Sequence, residues 1–399
     1  MTHPNFRYSY VTIFALLSAV STTLAFTPST ILLKHANFHN VQNSLLQSKL
    51  FLSSTDPNDG QECMDRRKVM HRAASSVAAA TAWALSHPNA IAQETSESSI
   101  VSTISTLAPM GTDASHPIAV IGAGGKVGSI CTKILNRKNL YSTAITRSGR
   151  KTLEDDSQYV GYGSGDVTSY ESIKKVVDGS SGVIFAASAS GKKKGGDPAH
   201  VDYLGLYNTA KACIECGVPK LVVVSAGSVT RPDFIGFKAT NFFVKYVYGD
   251  NIMGYKIAGE SVMRDLYAQQ PSSSKCSYCV VRPGGLSDSP AEGPGEIHVS
   301  QGDVYSAEIT REDVAEVTVA ALLKGSSTDF TTFELNKIKG LAKVSDKLQT
   351  PPEELVHFGT STYEALLDGL KTDNDMILKY PQYMNTFTGD KIEPVSAVV

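Results

Sequence analysis

A run of four apolar residues, Ile118 to Ile121, passes without a break into Gly122-Ala-Gly-Gly125-Lys-Val-Gly128, and no other feature restricts the fold as much. Glycines three apart let a chain turn sharply and bring backbone N–H groups against a diphosphate, with the positive end of a helix behind them. The sequence supplies that helix, because Val127, Ile130, Cys131, Ile134 and Leu135 recur at the spacing of one helical face. A glycine heptad alone is a weak signal. At a strand-to-helix junction it predicts a dinucleotide-binding unit, with Gly122, Gly124, Gly125, Lys126, Val127 and Gly128 along the phosphates.

Further continuous apolar runs stand at Val183 to Ala187, Leu221 to Val224 and Tyr278 to Val281, as expected of parallel strands buried on both faces. Thr310-x-x-Asp313 has the form of a helix-capping box ahead of Val314, Thr318, Ala321 and Leu322. Strands alternating with helices predict an α/β fold with a doubly wound parallel sheet, in a single domain over 116–340. Residues 341–399 read as a C-terminal extension with one helix around Thr362 to Leu370, either packed on the core or free to dock elsewhere. The formal net charge of -2 implies no basic face, so nucleic acid is not an expected partner.

The second strand, Thr143 to Thr146, ends in Arg147. An acid there would hold a ribose 2′-hydroxyl, whereas an Arg suits a 2′-phosphate, so the expected cofactor is NADP(H). Lys126, Arg150 and Lys151 add positive charge nearby. The bland alternative for Arg147 is a solvated surface side chain.

Several segments together resemble the atypical short-chain dehydrogenases, particularly the NmrA-like and plant plastid NAD(P)-binding Rossmann proteins. They are the Gly122–Gly128 loop, Gly165-Asp166-Val167, Val201-Asp202-Tyr203-Leu204-Gly205, Gly217-Val218-Pro219-Lys220, Lys256-x-x-x-Glu260, Val281-Arg282-Pro283-Gly284-Gly285 and Arg311-x-Asp313-Val314-Ala315. The resemblance implies that Asp166 and Val167 flank the adenine, and that Ala186 and Ala187 lie beside the nicotinamide ribose. It assigns Lys256 to cofactor ribose and to a catalytic position, and sets Ser225 or Ser228, just past the fifth strand, near the family's catalytic Ser. It also exposes a departure. The wider family uses Tyr-x-x-x-Lys, with the Tyr as proton donor. Four residues before Lys256 stands Ile252, and Tyr255 is about 100° around the helix axis from Lys256. Two functions follow as expectations. One is an NADPH-dependent reductase of a small carbonyl, an enone or a pigment-like molecule, with Lys256 or water as donor. The other is an NADP(H)-binding scaffold or redox sensor for a photosynthetic complex.

Cys213-x-x-Cys216 and Cys276-x-x-Cys279 have zinc-like spacing, but strand residues three apart face opposite ways, which disfavours a shared metal. Buried thiols, or a redox pair at 213 and 216, are the remaining readings. Lys192-Lys193-Lys194 is either a solvated loop or a patch steering an anionic partner, and His200, His298 and His357 read as surface or loop residues.

The first ~115 residues do not read as a folded domain. No Asp or Glu occurs in 1–55, and the apolar run Val11 to Val20 is too short to span a bilayer. Signal cleavage after Ala25 would expose Phe26, a layout that resembles the bipartite plastid leader of diatoms. That assigns 1–25 to a signal peptide and 26–65 to a transit segment. Residues 66–92 carry Arg66-Arg67, an alanine-rich stretch and Ala90-Ile91-Ala92. They are either a twin-arginine thylakoid signal or the distal part of the transit peptide. A linker, 93–115, follows, and the expected destination is the plastid stroma or the thylakoid lumen, with no transmembrane span in the mature protein.

Overall fold

Strand β1 (Ile118–Ile121) is buried along its whole length, as four consecutive apolar residues require of a strand covered on both sides. The computed structural model describes residues 109–189, 196–248, 251–271 and 273–383, so the leader segments and Lys192 to Lys194 lie outside the described residues. Around β1 assemble β2 (Ser142–Thr146), β3 (Val160–Ser164), β4 (Gly182–Phe185), β5 (Lys220–Val224) and β6 (Ser277–Pro283). Farther along the chain come β7 (Gly285–Ser287), β8 (Ile297–Ser300), β9 (Tyr305–Ser306), β10 (Glu308–Thr310), β11 (Thr331–Lys337), β12 (Ala342–Lys343) and β13 (Val356–Phe358). Nine of these form one sheet in the order β13-β8-β11-β6-β5-β4-β1-β2-β3.

From β3 to β11 every pairing is parallel. Parallel strands need crossovers, and helices supply them on both faces. On one face α1 (Lys126–Arg137) and α6 (Arg311–Leu323) pack with Ile118 and Val120. The other face holds α2 (Tyr170–Val177), α3 (Gly205–Glu215) and α5 (Ile252–Ala268), packed with Ala119 and Ile121. This is the doubly wound α/β fold. Because β1 has β2 on one side and β4 on the other, the strand order reverses there, and in open sheets of this kind ligands bind outside the carboxyl ends of the strands at such a reversal. A further helix, α4 (Ile235–Tyr248), precedes α5. The Thr310 side chain caps α6 by accepting from the Asp313 N–H at 3.0 Å.

The far edge of the sheet departs from the parallel plan. β8 runs antiparallel to β11, and β13 antiparallel to β8. Thus the segment read as an extension supplies an edge strand and buries Leu355, Leu366 and Leu367. The helix expected over Thr362 to Leu370 does not form. That stretch holds one 3-10 turn, Ala365–Leu367, and Gly369 at φ 77° turns the chain back. The leucine spacing reflects a turn pressed onto the core. The helix is α7 (Asp373–Lys379), with Thr372 as its cap.

His298 is likewise not a surface residue. It lies in β8 at 0% exposure, because β13 closes over that strand, while His357 is half-buried on β13. His200 is exposed and pairs with Asp197 at 2.8 Å. Cys276 and Cys279 pack on opposite faces of the sheet, and burial pushes the Cys279 thiol up to about 12. Among the described residues no group of three or more His, Cys, Asp or Glu could hold a metal, and no helix is long and apolar enough to cross a membrane.

Candidate functional site

At the end of β1 the chain turns on Gly122, whose φ of 83° lies where side chains are disfavoured. The N–H groups of Gly122 and Ala123 both donate to the Ile145 carbonyl, at 3.2 and 3.1 Å, which ties the turn to β2. A Cβ on Gly122 would lie 2.6 Å from the Ala187 nitrogen and 2.8 Å from the Ala186 carbonyl, so the end of β4 is pressed against the bend. One turn into α1, a Cβ on Gly128 would lie 2.4 Å from the Gly122 oxygen. The helix therefore starts directly against the bend. Gly125 caps α1 with no side-chain bond, and no acid stands in its first turn. The opening amides of α1 are left for an anionic ligand, which is what a dinucleotide diphosphate requires. The residues present fit that group.

Arg147 is exposed at the end of β2, and its carbonyl accepts from the Ser164 hydroxyl at 2.7 Å. Arg150 reaches the loop, with a guanidinium nitrogen 3.6 Å from where a Gly124 Cβ would stand. The other two expected cations turn elsewhere. Lys151 pairs with Asp156, and Lys126 pairs with Asp288, which Arg311 also binds at 2.6 Å. The Lys126 ammonium draws the exposed Asp288 carboxyl below its usual range. One Asp166 carboxylate oxygen accepts from the Thr168 N–H and hydroxyl, while Val167 is buried and its carbonyl accepts from Asn208 at 2.9 Å.

Lys256 is drawn to the same end of the sheet by an acidic partner far from it along the chain. Asp202 sits in a six-residue π-helical turn, Ala199–Leu204, that runs into α3. Such turns are frequent where a helix must aim one side chain. The Asp202 side chain is 1% exposed and that of Lys256 13%, with Nζ and Oδ1 2.7 Å apart. The Ser188 hydroxyl and the Ala189 N–H, just past β4, donate to the same carboxylate at 2.8 and 3.0 Å. A buried carboxylate so satisfied is a rigid anchor. The sequence signal for it was an Asp inside an otherwise apolar helical stretch.

The structure does not bring Ser225 to Lys256. Its hydroxyl donates at 2.5 Å to Glu260, one helical turn further along α5. Burial pushes the Glu260 carboxyl up, but the Arg282 and Arg264 guanidiniums more than compensate and hold it at about 2. Arg282 also reaches Glu334, whose backbone-bonded neighbour is Asp303. Burial and the Asp303 charge raise Glu334 to about 7. Ile252, at the position of the missing hydroxyl, is buried with Val229, Phe237 and Met253. That site offers packing and no proton donor.

The chain is similar to several known proteins. Residues 122–324 match the family model described as NAD(P)H-binding. An uncharacterised chloroplastic protein of Arabidopsis thaliana is 27% identical over 225 residues, 53% of this chain and 73% of that protein. An uncharacterised sugar epimerase of Bacillus subtilis is 22% identical, over 55% of this chain and 94% of its own length. Among solved structures, a short-chain dehydrogenase/reductase from Veillonella parvula in complex with NADP is similar at a TM-score of 0.44. It is 14% identical and covers 58% of this chain and 99% of that one.

Proposed function

The chain belongs to the NAD(P)H-binding family, and on that premise we propose that it is an NADPH-dependent oxidoreductase of the plastid acting on a small carbonyl, an enone or a pigment-like molecule. The observation that carries this reading is the meeting of two devices at one set of strand ends. One is the glycine bend between β1 and α1, and the other is the Lys256 ammonium anchored on buried Asp202.

When bound, NADPH supplies a hydride. The protein holds the diphosphate on the opening amides of α1 and keeps the adenosine end beside Arg147 and Arg150. Lys256 meets the nicotinamide ribose and, with Ile252 offering no hydroxyl, holds a proton at the place where a reduced oxygen needs one. The preference for the 2′-phosphate rests on Arg147 standing where an acid would select NAD. The plastid setting rests on the acid-free stretch after Ala25–Phe26, and the Arabidopsis relative described as chloroplastic agrees with it.

Arg147→Glu is expected to weaken NADPH binding by about 1.5–3 kcal/mol, roughly ten- to a hundredfold, and to spare NADH. Calorimetric titration with the two cofactors checks this, and an unchanged NADPH affinity removes Arg147 from the site. Purified full chain, supplied with NADPH and a panel of quinones, aldehydes and enones, is expected to oxidise NADPH steadily. Lys256→Ala should lower that turnover by about a hundredfold or more. Tight NADPH binding without oxidation across the panel would overturn the reductase reading.

A further inference from the structure

α5 carries Lys256, Glu260 and Arg264 at four-residue intervals, so the three lie along one side of the helix. Each is held by a different part of the protein. Lys256 pairs with Asp202 beside α3, and Glu260 pairs with Arg282 of β6 at 2.6 Å. Arg264 is bound by Asp373, which opens α7, with 2.8 Å between Nε and Oδ2. Asp373 lies beyond the family match over residues 122–324.

Asp373 is a built acceptor. Its Oδ2 also accepts from the Tyr278 and Thr332 hydroxyls at 2.9 and 2.8 Å, while Oδ1 is buried with no partner among the described residues. Arg264 donates to Thr332 at 2.7 Å and to Glu260 at 3.0 Å. Burial opposes the Arg264 charge, and the Asp373 and Glu260 carboxylates more than offset it. Only a fifth of the Arg264 side chain meets solvent, and its guanidinium is held by two carboxylates and a hydroxyl, so its position follows those partners.

We propose that Asp373 is a positioning residue for Lys256: by fixing Arg264 it sets the height and rotation of α5, and with them the place of the Lys256 ammonium at the strand ends. The Asp373 side chain is not what attaches its own segment. The Asp373 N–H donates to the Phe330 carbonyl at 2.7 Å. Gln301 brackets Lys371, accepting from its N–H at 2.8 Å and donating to its carbonyl at 2.9 Å. Removing the charge therefore leaves the main chain in place. Glu260, which Arg264 already shares with Arg282, would then be the one carboxylate left to Arg264, and the pull of Asp373 on that end of α5 would be gone.

The inference rests on the nicotinamide reading of the site, and a double-mutant cycle on the full chain separates the two. NADPH affinity is measured by fluorescence titration for Asp373→Asn and Asp373→Ala, each with Lys256 intact and with Lys256→Ala. Where Lys256 is present, both substitutions are expected to weaken NADPH about three- to tenfold; where it is absent, less than about twofold. Equal weakening in both backgrounds, or none in either, overturns the positioning role. Asp373→Asn keeps the size and the acceptor oxygen, and decides the question by itself if the alanine variant does not fold. Failure of the unmutated chain to bind NADPH would instead sink the cofactor reading.

Discussion

Gly122→Ala is expected to abolish measurable NADPH binding and to lower the folding stability by about 3 kcal/mol. Two costs combine. An alanine in the left-handed region costs about 1–2 kcal/mol, and Gly122 has φ 83°. The added methyl would also stand 2.6 Å from the Ala187 nitrogen, against main chain that cannot rotate away. Either the bend opens or the end of β4 retreats, and both movements take the amides of α1 away from a diphosphate. Urea unfolding followed by circular dichroism reads the loss of stability, and NADPH titration reads the loss of binding. A variant that binds NADPH within about fivefold of the unmutated chain would show that the bend is not the cofactor cradle.

The second large effect concerns acid. His298 sits between an edge-on Tyr305 ring at 5.1 Å and the Phe358 ring at 4.8 Å, and neither ring nitrogen has a hydrogen-bond partner among the described residues. Asn336 lies across on β11, and half-buried His357, itself under the influence of Lys371 and Asp368, acts on it through its charge. Burial first, and the His357 charge second, pull His298 down from 6.5 to about 4. Between those values the unfolded chain binds a proton that the folded one refuses, so this residue makes stability rise with pH there and fall on acidification. Glu334 acts in the opposite sense. Its raised value makes the folded form hold a proton between 4.5 and about 7, so its contribution is lost as pH rises through that range. The two slopes offset each other in the unmutated protein.

A variant separates them. His298→Leu is expected to gain about 2–3 kcal/mol relative to the unmutated chain on going from about pH 7 to about pH 4.5. Denaturant unfolding at a series of pH values measures it. Parallel stability curves for the two proteins would mean that His298 is hydrated or partnered in solution.

The parallel half of the molecule was legible because its signals are local. Four unbroken apolar residues, a glycine turn and a helical face follow one another within Ile118 to Leu135, and the sheet places β1 where that order demands. The antiparallel edge carries no such signal. Ile-His-Val-Ser in β8 and Val-His-Phe in β13 are too short to show alternation, and each contains a His that reads as a loop residue until a neighbouring strand covers it. The Lys256 anchor was hidden for another reason. Asp202 is far from Lys256 along the chain, and only the packing of the π-helical turn against α5 makes them partners. Tertiary contact decides such pairs, and periodicity is blind to it.

The late position of β13 has a consequence for how the protein comes into being. A chain made from its amino end can pair β1 with β2 and β4 early, but the row that shields His298 arrives only after residue 358 has emerged. Until then β8 presents unpaired amides and carbonyls, an edge open to wrong partners. Before that pairing forms, the edge of β8 needs some other cover.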